Sequence, residues 1–173
     1  MNDSKEIIIA DDGKLLTLSY QSLLDYHGGG AVFGATVGFR ALQAASKLLS
    51  QSETWERKKI KLVSRHPGPG VKDAIEFVTR CVTRGGFQLL AEETVCNSKM
   101  KFVWQVSDGR QSVTIQLKDD FLPGRFFDLL DRIVSGKETP EDREEFNELK
   151  ELLSRSLWEK PLEELFETNC SES

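Results

Sequence analysis

The chain has 173 residues, of which 39% are hydrophobic and 29% are charged, and its formal net charge at neutral pH is -5. This length suits one domain with a self-sufficient core, and this composition is typical of a globular chain and excludes a disordered one. The negative charge argues against a general affinity for nucleic acid or for an anionic membrane surface, and no apolar run reaches the ~18 residues that a membrane-spanning helix needs.

The first predicted elements are a hairpin and a short helix. Two β-rich runs, residues 7–9 and 15–18, flank an Asp-Gly pair, which is a strong turn signal. Ser19 is a suitable N-cap for a helix over residues 20–26, and the glycines that follow His27 end that helix.

Two buried helices are predicted next. Residues 31–50 are small or apolar on most faces, which predicts a helix inside the protein. Gly34 and Gly38 lie four residues apart on one face of this helix, where they allow another backbone or a ligand to approach closely. After a predicted strand at residues 59–64, apolar residues at helical spacing predict a second core helix over residues 71–82.

A sheet and one further helix are predicted to complete the core. Residues 87–96, 101–106 and 111–117 are predicted strands joined by short turns, which favours an antiparallel meander. Residues 123–134 are predicted to form a helix that follows the meander.

A boundary is predicted between residues 1–136, the core domain, and residues 137–173, a C-terminal helical extension. A Thr-Pro pair caps the main helix of the extension, which is predicted over residues 139–158. A short turn at residues 162–166 and a loose tail from residue 168 are predicted to follow.

The cysteines and the N-terminus indicate a cytoplasmic protein. Cys81, Cys96 and Cys170 include no CxxC pair and do not make a disulfide framework. Residues 1–6 are polar and lack the apolar stretch of a signal peptide. We therefore expect a reducing compartment.

Each buried helix is entered through a glycine-rich loop that begins with a histidine. We call residues 27–30 the first junction and residues 66–70 the second junction. The free amides and the dipole of a helix N-terminus attract an anion, and glycine lets a ligand approach the backbone. Arg65, Lys72 and Arg84 are available to add positive charge. The alternative is that both loops are tight turns, but two of them in one small domain favour a shared pocket.

The histidines and one cysteine suggest two kinds of chemistry. His27, His66 and Cys81 are candidate ligands of a transition metal such as zinc, with an open fourth position. Their long spacing fits no compact ligand motif, and a buried structural thiol is the alternative for Cys81. The His27/His66 pair is also a candidate for acid–base catalysis, because histidine titrates in the useful range.

The two junctions and their helices resemble the FmdE family of formylmethanofuran dehydrogenase subunits over about residues 18–134. Residues 26–28 and 38–40, which read Tyr-His-Gly and Gly-Phe-Arg, are similar to the family's first motif, an aromatic-His-Gly entry followed by Gly-aromatic-Arg. Residues 70–75 and 79–81 are similar to its second motif, which reads Cys-x-x-Asp-Ala-Ile and then Thr-x-Cys.

The departures from the family pattern concern its metal ligands. Counting along the motifs, a family histidine and two family cysteines fall on Gly30, Val32 and Gly70, whose side chains cannot bind a metal. Arg40, Asp73 and Cys81 match the pattern, and His27 stands near the family's first histidine. The zinc-finger extension of some members is absent, since Cys170 is the single cysteine beyond the predicted meander.

The resemblance implies an α+β fold, in which an antiparallel sheet packs on buried helices and a C-terminal helical extension follows. It also implies an accessory role in one-carbon metabolism beside a molybdenum or tungsten formylmethanofuran dehydrogenase, and a homodimer. We expect the two junctions to hold an anionic or aromatic small molecule. The expected binding residues are His27, Gly28, Gly29, Gly30, Arg40, His66, Gly68, Gly70, Asp73 and Cys81.

Two other functions remain open from the sequence. One is an enzyme that uses a residual metal or the His27/His66 pair. The other is an interaction protein, in which the small-residue helix at residues 31–50 and the C-terminal helix form a homodimer interface. No nucleic-acid or membrane partner is expected.

Overall fold

The chain begins with the predicted hairpin. In the computed structural model, which describes residues 4–91 and 96–172, strand β1 (Glu6–Asp11) pairs antiparallel with strand β2 (Lys14–Ser19). Asp12 and Gly13 form the turn with positive φ angles of 54° and 76°. The Ser19 side chain accepts a hydrogen bond from the amide of Ser22 and caps helix α1 (Tyr20–His27). The predicted turn and N-cap are therefore confirmed.

The two buried helices, α2 (Val32–Leu49) and α3 (Pro69–Thr79), cross at glycines. A Cβ atom on Gly34 would lie 3.5 Å from the Cα of Gly70, and one on Gly38 would lie 3.2 Å from the Cα of Val71. The close approach predicted for Gly34 and Gly38 is confirmed, and its partner is the backbone of α3. Most of α2 is thereby buried within the chain.

The main sheet has five strands. They are β3 (Lys61–Ser64), β4 (Phe87–Leu89), β5 (Val103–Ser107), β6 (Gln111–Leu117) and β7 (Phe166–Glu172). Their order across the sheet is β4-β3-β5-β6-β7, and all pairs are antiparallel except β3 with β4. Helix α2 packs on β6 and on α3. The architecture is α+β, as predicted.

The predicted meander is wrong at its first strand. β4 pairs in parallel with β3, with Phe87 opposite Leu62, and so lies on the far side of β3 from β5. Helix α3 is the crossover between these two parallel strands, and a parallel pair requires such a connection. The prediction considered only the turn after the strand. Of the predicted strand at 87–96, residues 92–95 lie outside the described residues.

Two helices and a strand complete the chain after α4 (Gly124–Val134). Helix α5 (Pro140–Glu159) begins with a capping box, in which the Thr139 hydroxyl accepts from the Asp142 amide and the Asp142 carboxylate accepts from the Thr139 amide, both at 3.1 Å. The short helix α6 (Leu162–Leu165) leads directly into β7. The predicted cap is therefore confirmed.

The predicted loose tail is wrong, because β7 is the edge strand of the main sheet. It pairs with β6 from Phe166 opposite Leu117 to Glu172 opposite Gln111, which satisfies its backbone groups. Helix α5 packs on α2 and α4, and its apolar face joins the common core. The segments on either side of residue 136 therefore share one sheet and one core.

The burial of α2 also bears on the predicted homodimer. Thirteen of its residues are buried inside the chain, so α2 does not offer the surface that the prediction gave it. Helix α5 keeps an exposed face with Leu152 at 53% exposure, and the pairing of two chains stays a prediction. No helix within the described residues is long and apolar enough to cross a bilayer.

Candidate functional site

The two glycine-rich junctions meet at one cavity. Its volume is about 150 Å³, and Gly30 and Ala31 line it from one side while Gly68, Pro69 and Gly70 line it from the other. We call it the junction cavity. The close crossing of α2 and α3 brings the two loops together, because Gly70 packs against the first turn of α2. The structure therefore places both predicted loops around one space.

The walls of the junction cavity are almost entirely apolar. Four phenylalanines, one leucine and one methionine form most of the lining: Phe33, Met100, Phe102, Phe126, Leu130 and Phe146. Buried apolar walls favour an apolar occupant, since an ion inside them would lose its hydration without compensation. The interior thus suits an aromatic or aliphatic group better than the anion that the helix N-termini suggested.

His27 is fully engaged in hydrogen bonds. Its Nδ1 lies 2.7 Å from the Asp73 carboxylate, and its Nε2 lies 3.2 Å from the amide nitrogen of Ala31. Because an amide can only donate, Nε2 must be bare, and the ring proton resides on Nδ1, which donates to Asp73. The imidazole therefore fastens the first junction to α3, and neither ring nitrogen is free for a metal in this arrangement.

His66 is buried beside the junction cavity, with only 5% of its surface exposed. Its Nδ1 accepts a hydrogen bond of 3.0 Å from the amide of Gly68, and its ring lies 4.4 Å from that of Phe102 between centroids. Burial lowers the pKa of His66 to about 4. The ring is therefore neutral at physiological pH, with its proton on Nε2.

The two histidines thus have parallel roles that the sequence did not suggest. Each ring accepts a hydrogen bond from a backbone amide at its own junction, Ala31 for His27 and Gly68 for His66. These amides were among the groups predicted to attract an anion. As bonded here, neither ring offers a bare nitrogen as a base, so the geometry gives no support to acid–base chemistry by this pair.

Arg40 and Cys81 do not line the junction cavity. Arg40 is buried at the other end of the core, where its guanidinium donates to Gln43 Oε1 at 2.7 Å and to the Lys160 carbonyl at 2.8 Å, and stacks 4.9 Å from the Trp158 ring. Cys81 follows the C-terminal end of α3, while the cavity lies at its N-terminal end. Burial raises the pKa of the Cys81 thiol, as expected for a structural cysteine.

Of the ten predicted binding residues, four line the junction cavity: Gly30, His66, Gly68 and Gly70. Gly28 serves as the turn that ends α1, with a positive φ of 58°, and Gly29 packs on the His27 ring. Asp73 is held by His27. The tight-turn alternative therefore describes the beginning of the first junction, and the pocket prediction describes its end and the second junction.

The predicted three-ligand metal site is not formed. Among residues 4–91 and 96–172, no group of three or more His, Cys, Asp or Glu side chains is arranged to hold a metal ion. Both nitrogens of His27 are occupied, and Cys81 lies beyond the far end of α3. The donor set present in this part of the chain does not fit a zinc site.

The sequence reasoning missed the wall contributed by the C-terminal helices. Phe126 and Leu130 come from α4, and Phe146 and Lys150 come from α5. Cys96 also lines the cavity, and burial raises the pKa of its thiol. A signal for α5 was present, because Phe146 and Lys150 are four residues apart and so share a helix face. Nothing local showed that this face turns toward the junctions.

Comparisons with known proteins agree with this fold. The family profile described as "FmdE, Molybdenum formylmethanofuran dehydrogenase operon" matches residues 27–167. A solved structure of an FmdE-like protein of tungsten formylmethanofuran dehydrogenase, from Syntrophus aciditrophicus, superposes with a TM-score of 0.52 at 16% identity, over 90% of this chain and 73% of that one. A comparison with curated proteins finds no match.

The family match extends beyond the predicted resemblance at the C-terminal end. It includes α5, α6 and the beginning of β7, which are the elements that the structure joins to the sheet and to the junction cavity. With most of its length matched and the same fold in a solved relative, the chain belongs to the FmdE family.

Proposed function

We propose that this chain is a small-molecule-binding accessory protein of formylmethanofuran dehydrogenase metabolism, with its ligand in the junction cavity. The cavity itself is the observation that carries the proposal. It lies where two glycine-rich loops meet, and Gly30, Gly68 and Gly70 leave backbone in its wall where other residues would place side chains. The membership in the FmdE family supports the metabolic context.

The dimensions of the junction cavity set the size of the ligand group that it accepts. An enclosed apolar cavity of roughly 150 Å³ accommodates a benzene ring. The junction cavity has about that volume and is lined by phenylalanine, leucine and methionine side chains. It therefore suits one aromatic ring or a branched aliphatic group of similar size.

Binding is favoured here over catalysis by the state of the two histidines. His27 has both nitrogens in hydrogen bonds, and His66 is neutral with its Nδ1 occupied. A general base needs an available nitrogen within reach of the proton that it removes. The groups that line the cavity instead provide shape and apolar surface, which are properties of a binding site.

Toluene provides a direct test by isothermal titration calorimetry. We expect one molecule to bind per chain. In the Gly30→Leu variant the added side chain should occupy the space at the cavity and weaken toluene binding at least about tenfold, which is ~1.4 kcal/mol. A Cβ at Gly30 meets no atom within 4 Å, so the fold should tolerate the change.

Gly124→Leu is the matched control. Gly124 also has open space around its Cβ position, but it does not line the cavity. This variant should bind toluene as the unaltered chain does. At ten times the Kd, toluene should also raise the stability of both proteins by about 1.4 kcal/mol. Absence of toluene binding, or equal binding to the Gly30→Leu variant, would refute the proposal.

A further inference from the structure

A single cation stands at the rim of the junction cavity. Lys150, on α5, lines both the cavity and an adjoining surface groove of about 670 Å³, and its ammonium lies 4.8 Å from the centre of the Phe146 ring. Gly30 and Phe33 also line both spaces. The ammonium is therefore placed where an apolar interior meets solvent.

The surroundings of Lys150 oppose its charge. Burial is the main cause of a lowered pKa for this half-buried side chain, and the positive charge of Arg143 lowers the pKa further. Within the described parts of the chain, no carboxylate forms an ion pair with Lys150. An anion brought to the rim would offset both the lost hydration and the repulsion by Arg143.

The cavity lining narrows the type of anion. Among the described residues that line it, Lys150 carries the one positive charge and none is acidic. A phosphate group usually requires several donors or a forked guanidinium, whereas a lysine ammonium can match a single carboxylate. The apolar interior cannot hold a charge, so the carboxylate must remain at the rim beside the groove.

We propose that the junction cavity binds a small monocarboxylate, whose aromatic or branched aliphatic body lies among the phenylalanines and whose carboxylate pairs with Lys150. This inference rests on the proposed function, because it assigns the ligand class of the same site. It adds charge selection by α5 to the size selection made by the junctions. Lys150 is thus the specificity-determining residue of the cavity.

Benzoate and benzamide separate the charge from the shape of the ligand, because they share a ring and differ in charge. We expect the full chain to bind benzoate about five- to tenfold more tightly than benzamide in calorimetric titrations. Lys150→Met keeps an unbranched apolar stem over Phe146 and should remove this preference while leaving benzamide affinity unchanged. Lys150→Arg should preserve the preference and shows whether a charge at this position suffices.

Lys137→Met is the control for the loss of a lysine elsewhere. Lys137 is exposed just before α5 and does not line the cavity, so this variant should prefer benzoate as the unaltered chain does. Thermal unfolding of each variant verifies that it is folded.

Three results would overturn the inference. Equal affinity of the unaltered chain for benzoate and benzamide, or an undiminished preference in Lys150→Met, would remove Lys150 as the carboxylate partner while cavity binding stands. Tighter binding of phenyl phosphate than of benzoate would replace the ligand class. If none of these compounds nor toluene binds, the proposed function fails together with the inference.

Discussion

His27 and Asp73 are joined by a hydrogen bond of 2.7 Å between imidazole Nδ1 and carboxylate Oδ2, which connects the end of α1 to the first turns of α3. The side chain of His27 is 6% exposed and that of Asp73 is 37% exposed. The pair lies next to the junction cavity and holds the first junction in the shape that lines it. Its role is therefore to position the loop.

Loss of the Asp73 carboxylate should loosen this connection. For Asp73→Ala we expect the free energy of unfolding to fall by about 1–2 kcal/mol, since a hydrogen bond to a charged group is lost at a partly solvated site. Asp73→Asn keeps an acceptor for the Nδ1 proton and should lose less. Urea denaturation measures both, with the exposed Asp120→Ala as control. Equal stability of Asp73→Ala and the unaltered chain would contradict the positioning role.

The helix crossing should not tolerate a side chain at Gly70. A Cβ there would lie 2.3 Å from the carbonyl oxygen of Ala31 and 2.6 Å from the amide nitrogen of Ala35. Because both are backbone atoms of α2, Gly70→Ala should cost about 3 kcal/mol of unfolding free energy or more. Gly30→Ala meets no atom within 4 Å and should change stability by less than about 1 kcal/mol. Chemical denaturation of the two variants compares them, and similar stabilities would contradict the crossing geometry.

The burial of His66 should make the protein sensitive to acid. Its pKa in the folded state is about 4, below its ordinary value of 6.5, so the unfolded chain takes up the proton first as pH falls. Stability is therefore complete above about pH 6.5 and is lost as pH falls toward 4, by on the order of 3 kcal/mol. His66→Gln keeps an acceptor for the Gly68 amide but does not titrate. Denaturation at pH 7 and pH 4.5 should show a smaller loss in this variant, and an equal loss would refute the assignment.

The three thiols should react with iodoacetamide at different rates. Cys170 is exposed on β7, Cys96 is partly buried at the cavity, and Cys81 is fully buried. Burial also raises the pKa of Cys81 and of Cys96, which lowers their thiolate fraction. Mass spectrometry should find Cys170 modified first, Cys96 next and Cys81 after unfolding. Benzoate should slow only the modification of Cys96, and an unchanged rate at saturation would argue against a ligand in the cavity.

Elements with a local signal were predictable from the sequence. The hairpin turn, the Ser19 cap and the Thr139 capping box each depend on residues adjacent in the chain, and the structure has all three. Two strand assignments failed because pairing is not local. β4 joins β3 across a helix, and β7 has a polar sequence whose strand conformation comes from its pairing with β6.

The candidate site was predictable to a similar extent. The glycine-rich sequence marked the places where α2 and α3 begin, and these places do meet at one cavity. Motif matching located Arg40 and Cys81 along the chain but not the direction in which they face, and both point into other parts of the core. Lys150 was missed because the packing of α5 on α2 is a tertiary contact between residues far apart in sequence.

The tight crossing at Gly70 has a consequence for the history of this site. Family members that carry cysteine at the corresponding position, as the resemblance implies, need room there for a side chain and a metal. In this chain the backbone of α2 already occupies that room. Reintroducing cysteine at this single position would therefore not recreate a metal centre. The helices would first have to move apart, so the exchange of ligands and the altered helix spacing are one coupled change that a single substitution does not reverse.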